Sequence, residues 1–224
     1  VFVAECFSSL QGEGALAGTP SFFVRLSGCN LRCRWCDTPH ASHRPEGVHR
    51  GVEDVVGLVA ASGRRHVVLT GGEPLLQREV VDLAAAILQL GLHLTIETAG
   101  TVFREVACDL LSLSPKTASS DPDGAWAVRH RQRRADLAPA RRLLRCHPEH
   151  QVKIVVRDEC ETDEVCALVE ALGVDPGRVL LMPEGATAEA VAARAPAVAG
   201  MCLRLGFRFS PRLHLELFGG GRGV

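Results

Sequence analysis

The chain has 224 residues, 46% of them hydrophobic and 23% charged, enough for one domain that buries roughly two-thirds of its extended-chain surface without disulfides. Its 25 basic and 26 acidic residues leave a formal net charge of −1, which argues against a general nucleic-acid binder and against disorder throughout. No uninterrupted apolar run reaches the roughly 18 residues that span a bilayer, and the first residues do not form a signal peptide. The sequence therefore reads as one soluble cytoplasmic domain over 1–224.

Taken in chain order, residues 1–7 suggest an edge strand. Short β-branched and leucine-rich runs follow at 22–26, 66–70, 92–97, 109–113, 151–156 and 178–182. Their lack of strict alternation suits strands covered on both faces. Helical patterns fall between them at 52–62, 76–90, 136–146 and 162–172. Gly91 stands where a C-cap would end the second, and Gly173 follows the Val165, Leu168, Val169, Leu172 stripe of the fourth. Residues 117–135 read as an exposed insertion. The tail over 203–217 suggests a further strand, with Pro211 marking a turn or edge. Repeated strand–helix alternation predicts an α/β fold with a parallel sheet, an abridged or distorted partial barrel because a complete one needs about 250 residues. Chemistry should then gather at the C-terminal ends of the strands, where Cys29, Gly71-Gly72-Glu73-Pro74, Glu97-Thr98 and Ser114-Pro115-Lys116 all fall.

Nine cysteines are odd in number, and three of them, Cys29, Cys33 and Cys36, lie within eight residues. That distribution points to a reducing compartment and a local metal site rather than a disulfide framework. Three thiolates in a loop suit an iron–sulfur cluster with one iron left open. They also suit zinc with a fourth ligand from His40, His43 or Cys6. The two glycines of 71–74 allow close backbone approach, and Glu73 offers acceptors to an ammonium.

The Cys29-x3-Cys33-x2-Cys36 loop after a first strand, with Gly-Gly-Glu-Pro at 71–74, resembles the radical S-adenosylmethionine superfamily. The resemblance implies one [4Fe-4S] cluster held by Cys29, Cys33 and Cys36. It also implies S-adenosyl-L-methionine at Gly71, Gly72, Glu73, Glu97, Ser114 and Lys116. Glu97-Thr98-Ala99-Gly100-Thr101 carries Ala99 where relatives often have a polar side chain, so any side-chain bond from that position is absent.

Gln11-Gly12-Glu13-Gly14, Cys36-Asp37-Thr38 and Ser210-Pro211-Arg212-Leu213-His214 extend the likeness over most of the chain, more weakly across 117–150. Together they resemble the 7-carboxy-7-deazaguanine synthase branch of that superfamily. This resemblance implies 6-carboxy-5,6,7,8-tetrahydropterin as substrate, surrounded by Leu10, Gln11, Glu13, Arg25, Thr70, Gly72 and His214. Glu13, Arg25 and His214 are the expected catalytic residues, and Thr38 the expected Mg²⁺ ligand. It further implies a homodimer, a flavodoxin- or ferredoxin-like electron donor, and no direct nucleic-acid or membrane partner. The seven arginines of 129–145 read as a solvated helical face, with docking of an acidic donor as the alternative. A glycyl-radical activase and a zinc-stapled binding protein are the competing functions. The first lacks a reason for 11–14 and His214, and the second for 71–74 and 114–116.

Overall fold

The structure is a computed structural model that describes residues 1–223. At its centre is a nine-stranded sheet in the order β3-β1-β2-β4-β5-β6-β7-β8-β9. The strands are β1 (Phe2–Leu10), β2 (Pro20–Leu26), β3 (Val48–His49), β4 (His66–Gly71), β5 (His93–Thr98), β6 (Leu110–Leu113), β7 (His150–Val156), β8 (Val179–Pro183) and β9 (Arg208–Phe209). The helices are α1 (Val52–Ala61), α2 (Val80–Gln89), α3 (Ala127–Ala135), α4 (Ala138–Cys146), α5 (Thr162–Leu172), α6 (Ala188–Leu205) and α7 (Leu213–Phe218). From β2 onward each neighbouring pair is parallel. β1 runs antiparallel to both β2 and β3. Among the described residues the outermost strands β3 and β9 do not pair with each other, so the sheet stays an open partial barrel.

Along each strand, successive side chains go to opposite faces. One set, including Val24, Leu69, Ile96, Leu113 and Ile154, joins Val55, Leu83, Ile87, Leu143 and Val165 of the helices in the main core. Each such fully buried Leu or Ile contributes about 1.5–3 kcal/mol relative to leaving it exposed. The intervening set carries Arg25, Thr70, Glu97, Ser112 and Lys153. Register places Arg25 beside Thr70 and Glu97 beside Ser112. The strands are covered on both faces as their composition predicts, but the inner face is polar and carries the chemistry.

Gly91 and Gly173 adopt the left-handed conformation just past α2 and α5, with φ of 72° and 67°. Three regions differ from the sequence expectation. The start of the second helix shifts, because Pro74–Leu76 forms a separate 3₁₀ turn before α2. The expected strand over 203–217 is instead the end of α6, the two-residue β9 and the short helix α7. α6 itself lacks a clear apolar stripe in sequence because Pro196 and Gly200 interrupt it, yet Thr187 caps its start by accepting from Ala190 N–H at 3.2 Å. Residues 117–135, read as an exposed insertion, contain α3, and Thr117, Ser120 and His130 within them are buried.

Candidate active site

The cysteine loop leaves β2 and is closed at its base, where Gly28 N–H donates to Ala41 O at 2.7 Å. The turn after β4 packs directly beneath it: Gly72 N–H donates to Leu26 O at 3.1 Å and Glu73 N–H to Gly28 O at 2.9 Å. A Cβ on Gly72 would lie 2.3 Å from Gly28 O and 2.6 Å from Ala41 O. This glycine is therefore required by the cysteine loop's own backbone. From the other side, the segment before and within α3 grips the same loop. Arg34 N–H donates to Ser120 O at 2.9 Å, and Arg32 N–H donates to His130 Nδ1 at 3.1 Å. The Nε2 of His130 lies 3.0 Å from Ser120 Oγ, and Arg133 donates to the Asn30 carbonyl.

Cys29, Cys33 and Cys36 open on one cavity of about 830 Å³. Burial pushes the Cys29 thiol up to about 11 and the Cys33 thiol to about 12, so a bound metal centre must supply the positive charge that favours thiolates there. Leu31 N–H donates to Cys29 Sγ at 3.4 Å and Ser42 Oγ lies 3.0 Å from Cys36 Sγ, the kind of hydrogen bonds that support ligated sulfur. Among the described residues no three His, Cys, Asp or Glu side chains converge as the ligand set of a single ion. Three thiols that open on one chamber suit a cluster, which takes each cysteine on a separate iron. His40, a candidate fourth zinc ligand, instead turns Nε2 toward Glu5 Oε1 at 3.4 Å.

Every other residue expected at the site from sequence lines this cavity except Glu73. Leu10 ends β1, and Gln11 and Glu13 enter from the loop after it. Arg25, Thr70, Gly71, Gly72 and Glu97 stand at the ends of β2, β4 and β5. Ser114 and Lys116 follow β6, Thr38 lies in the cysteine loop, and His214 comes from α7. Lys116 Nζ donates to Ser114 Oγ at 2.8 Å and lies 5.5 Å from the Trp35 ring centroid. Arg25 is tied to Glu5 at 2.6 Å.

Glu73 is only 1% exposed, and its carboxylate accepts from Thr98 Oγ1 at 2.7 Å, Ala99 N–H at 2.9 Å and Leu75 N–H at 3.1 Å. Burial pushes this carboxyl up, and the three donors pull it back. Its oxygens join the two loops, and Glu73 is not among the residues that line the chamber.

Glu13 is likewise engaged. Its carboxylate meets Lys153 Nζ at 2.5 Å and Arg212 Nε at 3.2 Å. Burial alone would raise its pKa, but the Lys153 and Arg212 cations outweigh it and hold the group well below the usual carboxylate range. Lys153 Nζ also lies 3.2 Å from Glu97 Oε1. Glu97 accepts further from Gln11 Nε2 at 3.3 Å and from Thr70 Oγ1 at 2.9 Å. Arg212 continues to Asp37 and to the Gly185 carbonyl. His214 packs on Gly12, and burial lowers its pKa, which favours the neutral imidazole. Lys153, Arg212 and Asp37 are site residues that the sequence reading did not assign. The available signals were a lysine inside the apolar run of β7, in a chain whose cations are almost all arginine, and an arginine two positions before His214.

Comparison with known proteins decides the family. The radical SAM superfamily profile matches residues 23–182. A 7-carboxy-7-deazaguanine synthase of Rhodopirellula baltica is 44% identical over 100% of this chain and 89% of its own. One from Halobacterium salinarum is 43% identical over 96% of this chain and 90% of its own. The chain belongs to the 7-carboxy-7-deazaguanine synthase family of radical SAM enzymes. The crystal structure of QueE from Escherichia coli shares the fold, with a TM-score of 0.65 at 22% identity over 93% of this chain and 92% of that one. As a radical SAM enzyme, this family member takes a [4Fe-4S] cluster and S-adenosyl-L-methionine, and the open cysteine loop described above accommodates that assignment.

Proposed function

We propose that the protein converts 6-carboxy-5,6,7,8-tetrahydropterin into 7-carboxy-7-deazaguanine with loss of ammonia, a step that serves queuosine and other deazapurine biosynthesis. The observation that carries this reading is the single chamber in which the cysteine loop meets Gln11, Glu13, Arg25 and His214. When bound, the cluster and S-adenosyl-L-methionine supply one-electron sulfonium cleavage and the hydrogen-atom abstraction that starts the ring contraction.

The protein's own residues hold and orient. Cys29, Cys33 and Cys36 hold the cluster and leave one iron without a protein ligand. Gly71 and Gly72 present backbone to the cofactor, while Ser114 and Lys116 face its carboxylate and Glu97 its ribose hydroxyls. Glu13, kept ionised, accepts from substrate N–H groups. Arg25 keeps guanidinium N–H groups beyond its Glu5 pair for the substrate carboxylate. His214, as a neutral imidazole, accepts or relays a proton at the opposite rim. Thr38 would offer its hydroxyl to Mg²⁺, which would supply positive charge beside the substrate. Holding the planar substrate against the cofactor selects one hydrogen and suppresses side reactions. The same reading includes a homodimer, a flavodoxin- or ferredoxin-like electron donor and a cytoplasmic location, without a direct nucleic-acid partner. No helix among the described residues is long and apolar enough to cross a membrane.

The test is an anaerobic assay of reconstituted protein with 6-carboxytetrahydropterin, S-adenosylmethionine, Mg²⁺ and a reductant, read by product mass. Formation of 7-carboxy-7-deazaguanine is expected. Cofactor cleavage by a four-iron protein without that product would overturn the substrate assignment and favour an activase.

A further inference from the structure

Lys153 is a buried cation, 3% exposed, on the inner face of β7. A lone ammonium in this position costs several kcal/mol unless it is paired. Here it is shared by two carboxylates from different parts of the chain, Glu13 at 2.5 Å and Glu97 at 3.2 Å. Both carboxylates line the chamber. Neither is free to rotate: Gln11 and Thr70 hold Glu97, and Arg212 holds the second oxygen of Glu13. The neighbouring backbone is fixed as well, because Gln151, two residues before Lys153 on the same face, accepts from Ala15 N–H at 2.7 Å and donates to Ser112 Oγ at 2.9 Å.

We propose that Lys153 is a positioning residue for the reaction, its ammonium fixing Glu13 as an acceptor aimed at the N–H-bearing edge of the bicyclic substrate and Glu97 as the neighbouring acceptor for the cofactor's ribose. The inference rests on the substrate reading above. Each carboxylate oxygen has two lone pairs: Glu13 Oε2 takes only the ammonium and keeps one for a substrate N–H, while Glu97 Oε1 is filled by Lys153 and Gln11 and the free lone pair of Glu97 is on Oε2, beside Thr70. The lysine thereby sets the direction of the remaining lone pairs and keeps Glu13 from acting as a proton donor. It touches neither the reacting carbon nor the cofactor in this scheme, and acts through the two glutamates.

Two features of the surroundings set the expected pH behaviour. The groups facing Glu13 are Lys153 from β7, Arg212 and His214 from the tail, Asp37 through Arg212, and Glu97 through Lys153. Burial opposes ionisation of Glu13, and Lys153 is the strongest of the cations that overcome it. Removing Lys153 must therefore raise the Glu13 pKa and move the acid limb of the rate profile to higher pH.

The experiment compares wild type with Lys153→Met, Lys153→Arg, Glu13→Gln and the Glu13→Gln/Lys153→Met double variant, each anaerobically reconstituted. Lys153→Met is expected to raise KM for 6-carboxytetrahydropterin by about tenfold or more, the loss typical of a charged hydrogen bond, with a smaller fall in kcat. Its acid limb should move up, while iron content stays at the wild-type level. Lys153→Arg should restore part of the loss. In the Glu13→Gln background the added Lys153→Met change should cost much less than it does alone, since the lysine acts through that carboxylate. If Lys153→Met does not fold, the comparison of Glu13→Gln with the double variant carries the test, because the double variant removes a buried pair rather than one member. Unchanged KM and pH profile, or full additivity with Glu13→Gln, would overturn the proposal. A wild-type protein that cleaves S-adenosylmethionine but forms no deazaguanine would instead overturn the substrate reading.

Discussion

Glu73 illustrates how a motif residue can serve geometry rather than ligand contact. Its carboxylate satisfies Thr98, Ala99 and Leu75, and so joins the turn after β4 to the loop after β5. Glu73→Ala leaves buried donors unpaired and is expected to lower stability by about 3 kcal/mol, measured by urea titration. A loss confined to cofactor affinity, with the unfolding midpoint unchanged, would make Glu73 a ligand contact after all. That the cysteines and Lys116 meet at one chamber was legible in sequence, because short spacing and placement after strands signal it. Lys153 and Arg212 were not, because their partner Glu13 lies 140 and 199 positions away along the chain. Nothing local in β7 or the tail specifies that meeting.

At the scale of elements, the parallel strands could be read because each is a short apolar run bounded by turns. Their polar inner face was less visible, since single residues such as Thr95, Ser112 and Lys153 interrupt otherwise hydrophobic segments. α6 escaped recognition because Pro196 and Gly200 weaken its pattern and tertiary packing of Val198 and Met201 sustains it. The starts of β2, β4 and β5 are joined by a buried chain of side chains. His66 Nδ1 lies 2.5 Å from Ser21 Oγ, and its Nε2 2.9 Å from Thr95 Oγ1. Burial, reinforced by His93, pushes the His66 pKa down from 6.5 to about 4. On acidification the unfolded chain protonates this histidine first. Stability attributable to it is therefore complete above pH 6.5 and lost as pH falls toward 4, by up to about 3 kcal/mol. Thermal unfolding followed by circular dichroism across that window should show the decline, and His66→Leu should flatten it. Equal slopes for the two proteins would remove His66 as the cause.

For the whole molecule, the open sheet brings the first loop and the last helix to one chamber. Leu213 N–H donates to Gly12 O at 2.9 Å, and Gly14 N–H to Ser210 Oγ at 2.8 Å. Removing residues from 210 onward takes away Arg212 and His214 while leaving the cysteine loop and its α3 support. Such a protein is expected to bind iron but to form product about a hundredfold more slowly or worse, because positioning is lost. Iron analysis and product mass check the two halves of that statement, and full turnover by the shortened chain would refute it. The same closure has a consequence for biosynthesis. The cysteines emerge from the ribosome early, whereas Arg212 follows Glu13 by 199 positions, a delay of roughly ten to forty seconds at ordinary elongation rates. Throughout that interval the half-built chamber stands open to oxidants, so the order of events that protects the metal centre is tail docking first and cluster delivery afterwards.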